Sequence, residues 1–350
     1  MRFLLFLAVL LIGKNLFSQL TPQNGVAPSK AKKIALVNAR IVVSPDKIIE
    51  DGTLIIQGDE IIDVGHLLIT PSDAVKIDCK GATILPAFIE LNSSIGMPKN
   101  EKGELQFRND QKKGAYHWNE AIHPETNASE LFSVDQKANE ALVKMGYGFA
   151  VTHVNDGIFR GNGSFVSLGN ENSNKQLLHP LAAQFLSYEK GSARVGYPSS
   201  QMGSIALIRQ TFYDAQWYSQ GEACESNLSL GAINDSKKLP FIFQTSDKLE
   251  MLRAEKIATE FNLRFNYFGS GSEYMAIDKL KFATGYMIVP FNFPEPYDVK
   301  DPYVARQIPL SDLKHWELAP SNPYILRKNG VSLCFTSQGQ NQTTHSPDWH

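Results

Sequence analysis

The sequence predicts an α/β protein, a (β/α)8 barrel preceded by a small antiparallel β-sheet. Three observations lead there. Segments before residue 83 read as short strands with no helix between them. From Thr83 onward, eight short apolar segments alternate with helical stretches. The length, 350 residues, exceeds one small domain and suits one large barrel or two modest domains. An open doubly wound sheet is the alternative architecture.

The chain begins as a targeting segment. Met1 and Arg2 carry positive charge, and Phe3–Ile12 is an unbroken apolar run, about half of what a bilayer span needs. It predicts a signal peptide over residues 1–19, cleaved near Ser18 or Gln19, with a secreted or periplasmic mature protein. A membrane anchor is the alternative, and no membrane contact is expected of the mature form. Residues 20–33, with Pro22, Pro28 and a lysine cluster, read as a linker.

A small sheet follows over 34–83. Ala35–Val43 is rich in β-branched residues, Thr53–Ile56 and Ile61–Val64 form a hairpin around Gln57–Glu60, and Ala74–Asp78 is a further strand. The barrel is expected over 84–339. Its strands are read at Ile84–Leu91, Gly148–Val154, Ser164–Leu168, Ala182–Leu186, Pro240–Gln244, Leu263–Phe268, Tyr286–Pro290 and Val331–Thr336. The third and fourth are the weakest patterns. Helices are expected at Ser133–Met145, Ile205–Ser219 and Lys248–Phe261. Residues 97–130 form a long polar loop after the first barrel strand, on the face where such barrels keep their active sites. Asn162, Gly163 and Asn170–Asn174 read as loops. Residues 340–350 carry Pro347 and no strand pattern, so the barrel is expected to be incomplete at its C-terminus.

A formal net charge of -2 gives no basic field for nucleic acid. Cys79, Cys224 and Cys334 are odd in number and far apart, which argues for buried thiols over a disulfide framework. GxSxG, HExxH and phosphate-loop motifs are all missing. Gly269–Glu273 could cradle an anion, but it lacks the dinucleotide fingerprint and reads as a tight strand-to-helix turn. Arg209 and Asp214 share one helical stretch, where solvated or capping roles are the default.

Several segments, in order, resemble the amidohydrolase superfamily: Asn38–Ile41, Glu50–Ile56, Gly58–Gly65, Ile77–Gly81, Leu85–Glu90 and Met145–Val154. Ala206–Asp214 and Trp316–Pro323 look like a secreted bacterial subgroup that joins a divergent barrel to a second, more regular one. The resemblance implies a metal-dependent barrel that hydrolyses carbon–nitrogen bonds other than peptide bonds, using zinc or another divalent ion. It also implies histidine, lysine, glutamate and aspartate ligands at the ends of strands one, four, five, six and eight. Here Asn92 and Ser94 stand at the first-strand histidine positions, Gln244 at that of strand five, Ser270 beside that of strand six, and Gln338 at the aspartate position. Neutral amides and hydroxyls are poor zinc ligands. No metal or other cofactor and no catalytic residue is therefore expected, and the domain reads as degenerate.

His153, at the end of strand two, could line a pocket, and His117 and His123 in the long loop could reach the mouth; ordinary packing or surface roles are the alternative for all three. Asn92, Ser94, His153, Gln244, Ser270 and Gln338 are expected to converge on one concave surface able to bind a small polar ligand. A second, intact barrel is the expected protein partner. The competing readings are an active amidohydrolase and a non-catalytic ligand-binding or scaffold module.

Overall fold

The computed structural model describes residues 32–99, 114–221, 225–280, 285–291 and 293–338. The signal peptide, most of the linker, Cys224 and the tail over 340–350 lie outside the described residues. Two compact units divide between Pro86 and Ala87. No helix among the described residues is long and apolar enough to cross a membrane.

The first unit is a five-stranded sheet: β1 (Lys33–Ser44), β2 (Lys47–Gln57), β3 (Glu60–His66), β4 (Val75–Asp78) and β5 (Thr83–Ile84). β1–β2 and β2–β3 are antiparallel hairpins. Gly58 takes the positive φ of 66° that the second turn requires. Ala39, Ile41 and Leu54 form its small core. The sheet is mixed, not antiparallel as expected, because β4 and β5 pair parallel with β1. After β3 the chain crosses the sheet instead of folding back, so it arrives beside β1 running the same way. The expected strand Ile84–Leu91 is also split. Pro86 has no N–H to donate to a ladder, and pairing resumes only at Phe88.

The second unit holds eight strands in the order β13-β12-β11-β10-β9-β8-β7-β6. They are β6 (Phe88–Ser93), β7 (Tyr147–Thr152), β8 (Phe159–Ser167), β9 (Leu177–Ser187), β10 (Phe241–Gln244), β11 (Phe265–Phe268), β12 (Met287–Pro290) and β13 (Leu333–Thr336). Every pairing is parallel except β7–β8 and β8–β9. This corrects the regular βα alternation. The connections at 153–158 and 168–176 are shorter than the dozen or more residues a parallel crossover needs, so this stretch folds as a meander.

Asn162 and Gly163 lie in β8, not in a loop. Glycines here accommodate register shifts and close backbone approach. Gly161 has φ +88°, and a Cβ there would sit 2.2 Å from the Thr126 carbonyl oxygen.

No backbone ladder joins β13 to β6 among the described residues, so the sheet is not a closed hydrogen-bonded barrel. Its first and last strands are instead bridged by side chains. Buried Glu90 accepts from Ser337 N (2.7 Å), Ser337 Oγ (2.6 Å), Asn92 N (3.1 Å) and the Thr336 hydroxyl.

Among the described residues, the helices of seven residues or more are α1 (Gln136–Lys144), α2 (Gln201–Ser219), α3 (Leu228–Asp235), α4 (Lys248–Glu260), α5 (Leu310–Leu318) and α6 (Asn322–Lys328). Asp135, Ser200 and Asp247 cap α1, α2 and α4 by accepting from backbone N–H groups of the first turn. Phe241, Phe243, Phe265 and Tyr267 pack against Leu207, Ile208 and Phe212 of α2 and Met251, Ala254 and Ile257 of α4. Phe185, Ile242, Phe268 and Ile288 alternate with these and form a second core on the opposite sheet face. Burial on both faces explains why these strands read as continuous apolar runs.

Candidate functional site

Parallel strands end together. The C-terminal ends of β6, β7, β10, β11 and β13 therefore place Asn92, His153, Gln244, Ser270 and Gln338 at one end of the sheet. β8 runs the other way, so its beginning, Phe159 and Arg160, reaches the same end.

Asn92, His153 and Gln338 form one network. Gln338 Nε2 donates to the Asn92 carbonyl (2.7 Å), and the two side-chain amides approach to 3.4 Å. His153 Nε2 lies 2.6 Å from the Asn92 side-chain amide. His153 Nδ1 donates to the Val154 carbonyl at 3.1 Å. The ring stacks on Phe185, with centroids 3.7 Å apart. Burial, then the positive charge of Arg160, hold the imidazole pKa down to about 3, against the lesser opposing pull of the Val154 carbonyl. The ring is neutral at physiological pH, with Nδ1 carrying the proton toward the Val154 carbonyl.

A cavity of about 1300 Å³ adjoins the network. Asn92, Ser94, Glu90 and Gln338 line one wall, with Lys99, Lys137, Asn155 and Asp156 elsewhere on its surface. His153, Gln244 and Ser270 are not among its lining residues, so the expected concave surface gathers only Asn92, Ser94 and Gln338.

Gln244 Oε1 instead accepts from Arg160 Nη1 in a short hydrogen bond. Ser270 is turned toward Glu273. The glycine turn does cradle an anion, but the anion is the chain's own: buried Glu273 accepts from Ser270 N (2.5 Å), Gly271 N (3.0 Å), Ser270 Oγ (3.1 Å) and Asn322 Nδ2 (2.7 Å). His117 is buried beside α3, where its backbone N–H donates to Ser229 Oγ at 2.9 Å. His123 stands 3.8 Å from Glu125. Neither lines the cavity.

Cys79 and Cys334 are free and only partly buried. Arg209 forms an ion pair with Glu260 at 2.7 Å, tying α2 to α4, and Asp214 accepts from Gln210 at 2.6 Å.

Arg160 carries no motif and was missed by sequence reasoning. It is 4% exposed. Nε donates to the Gly157 carbonyl at 3.2 Å. Burial lowers its pKa to about 10, against the opposing pull of Glu189 and Asp156, so it remains charged at neutral pH.

Among the described residues no group of three or more His, Cys, Asp or Glu side chains is placed to hold a divalent metal. The five positions to which the resemblance assigns ligands carry amides and hydroxyls.

No family model and no curated protein sequence matches the chain. Among solved structures, an amidohydrolase from Thermotoga maritima superposes with a TM-score of 0.63 at 18% identity, over 87% of this chain and 78% of that one. A prolidase complexed with N-methylphosphonate-L-proline matches over the same shares at 12% identity, but with a TM-score of 0.43 nothing is drawn from it. These neighbours are amidohydrolase-superfamily proteins, and at such identities the likeness is one of fold: the chain is built on the fold of the Thermotoga maritima amidohydrolase.

Proposed function

We propose that the chain is a catalytically silent member of the amidohydrolase superfamily, its sheet a divergent form of the (β/α)8 barrel. The single observation that carries this reading is the donor set at the C-terminal end of the sheet. Superfamily hydrolysis of non-peptide carbon–nitrogen bonds needs a metal to lower the pKa of a bound water. Here Asn92 and Gln338 hydrogen-bond one another, and Gln244 is engaged by Arg160. The remaining candidate base, His153, is fully buried with its pKa held down to about 3, so it is a poor acceptor for a proton from water.

The corresponding role is that of a scaffold or partner to a second, intact barrel, as in the secreted two-barrel subgroup that Ala206–Asp214 and Trp316–Pro323 resemble. The apolar N-terminus supports export to a secreted or periplasmic location. The cavity favours a second role, since Ser94, Asn155, Lys99 and Lys137 offer hydrogen bonds to a small polar ligand.

The test is elemental analysis of protein purified without chelator. Substoichiometric metal is expected. About one zinc per chain, lost on Asn92→Ala or Gln338→Ala, would overturn the reading and favour an active amidohydrolase.

A further inference from the structure

We infer that Arg160 is the resident cation of this site: its guanidinium supplies the positive charge at the C-terminal end of the sheet and keeps a divalent metal out. The inference rests on the reading of the chain as a silent amidohydrolase and adds a physical cause to it. Loss of ligands alone leaves a site that binds metal weakly; a fixed cation makes it repel one.

The argument begins with topology. A residue at the start of a strand in an all-parallel sheet would sit at the far end from Asn92 and Gln244. Because β8 is antiparallel to both neighbours, its start lies among their C-terminal ends. The meander therefore brings Arg160 to a place that a regular barrel strand could not reach from that position.

The local chemistry follows. The acceptors holding the guanidinium are neutral, namely the Gly157 carbonyl and the Gln244 amide oxygen. The side chain is almost wholly buried, so water screens it little. Asp156 and Glu189 pull on it electrostatically and help keep it charged. Its field also reaches His153, which lies against Asn92. A metal arriving at Gln244 would meet an amide oxygen already committed to a hydrogen bond with a buried like charge. Arginine suits this role because it stays protonated where a buried lysine would readily lose its proton.

The test rebuilds ligands in the full chain. Asn92→His with Ser94→His restores a His-x-His pair beside His153. In that background, zinc affinity is measured by calorimetric titration for Arg160, Arg160→Lys and Arg160→Met. The neutral methionine variant is expected to bind zinc at least tenfold more tightly than the arginine form, with lysine weak or intermediate. Should Arg160→Met fail to fold, Arg160→Gln, whose amide can still donate to Gln244, carries the same expectation. Affinities within twofold of one another across the series would overturn the role of Arg160 while leaving the silent-hydrolase reading intact. So would failure of both neutral variants to fold, because the guanidinium would then be structural. Stoichiometric zinc in the native chain would instead overturn both.

Discussion

His153 is a buried imidazole that the fold holds neutral, and this makes stability depend on pH. Its pKa is about 3 in the folded chain, against about 6.5 when unfolded. Between those values the unfolded chain binds a proton that the folded chain refuses. The contribution is therefore fully present above about pH 6.5 and is lost as pH falls toward 3. The slope is on the order of 1 kcal/mol per pH unit. Urea denaturation of the native chain and of His153→Gln, compared between pH 7 and pH 4, should show the larger loss in the native chain. Parallel curves would mean that His153 is not held neutral. At this scale the sequence was legible where a position could be counted from a strand. Asn92 and Gln338 were placed that way and do meet. Arg160 was not legible, because a single arginine ahead of Gly161 and Gly163 looks like the start of a loop. Only the pairing direction of β8 shows where it goes.

Glu90 acts between elements. It gathers Thr336, Ser337 and the Asn92 N–H, so one carboxylate fastens the first strand of the large sheet to the last. Glu90→Ala leaves these donors without their acceptor inside the protein. The expected destabilisation is about 2–4 kcal/mol, read as a lower urea midpoint. Glu90→Gln, which keeps an acceptor oxygen, should lose less. An unchanged midpoint for the alanine variant would show that the two edges are held by other contacts. Strand positions were legible because burial on both faces leaves uninterrupted apolar runs such as Phe241–Phe243 and Met287–Val289. Strand direction was legible only indirectly, through the short connections on either side of β8. α5 went unread although Leu310, Leu313 and Trp316 recur at helical spacing, and that stripe stays exposed, with none of its residues buried.

In the whole molecule, likeness to the Thermotoga maritima amidohydrolase confirms the expected fold family of the architecture, while the mixed small sheet and the unclosed ladder depart from the expected form. The β7–β8–β9 meander also has a consequence for how the chain folds in time. Thr152 pairs with Ser164, twelve positions away in sequence, whereas the Glu90–Ser337 contact closes a loop of 247 positions. Loop-closure entropy grows with the logarithm of length, so the long closure costs about 3 kcal/mol more than the hairpin. Parallel pairings elsewhere in the sheet need excursions of intermediate length and come later than local ones. Residues 147–187 should therefore gain amide protection first in pulse-labelled hydrogen exchange during refolding, and the edge formed by β6 and β13 last. Simultaneous protection of both would mean that the sheet condenses in one step. If the order holds, the reversed strand that carries Arg160 is in place before the strands bearing Asn92 and Gln338 come together, so the charged centre of the site exists before its rim.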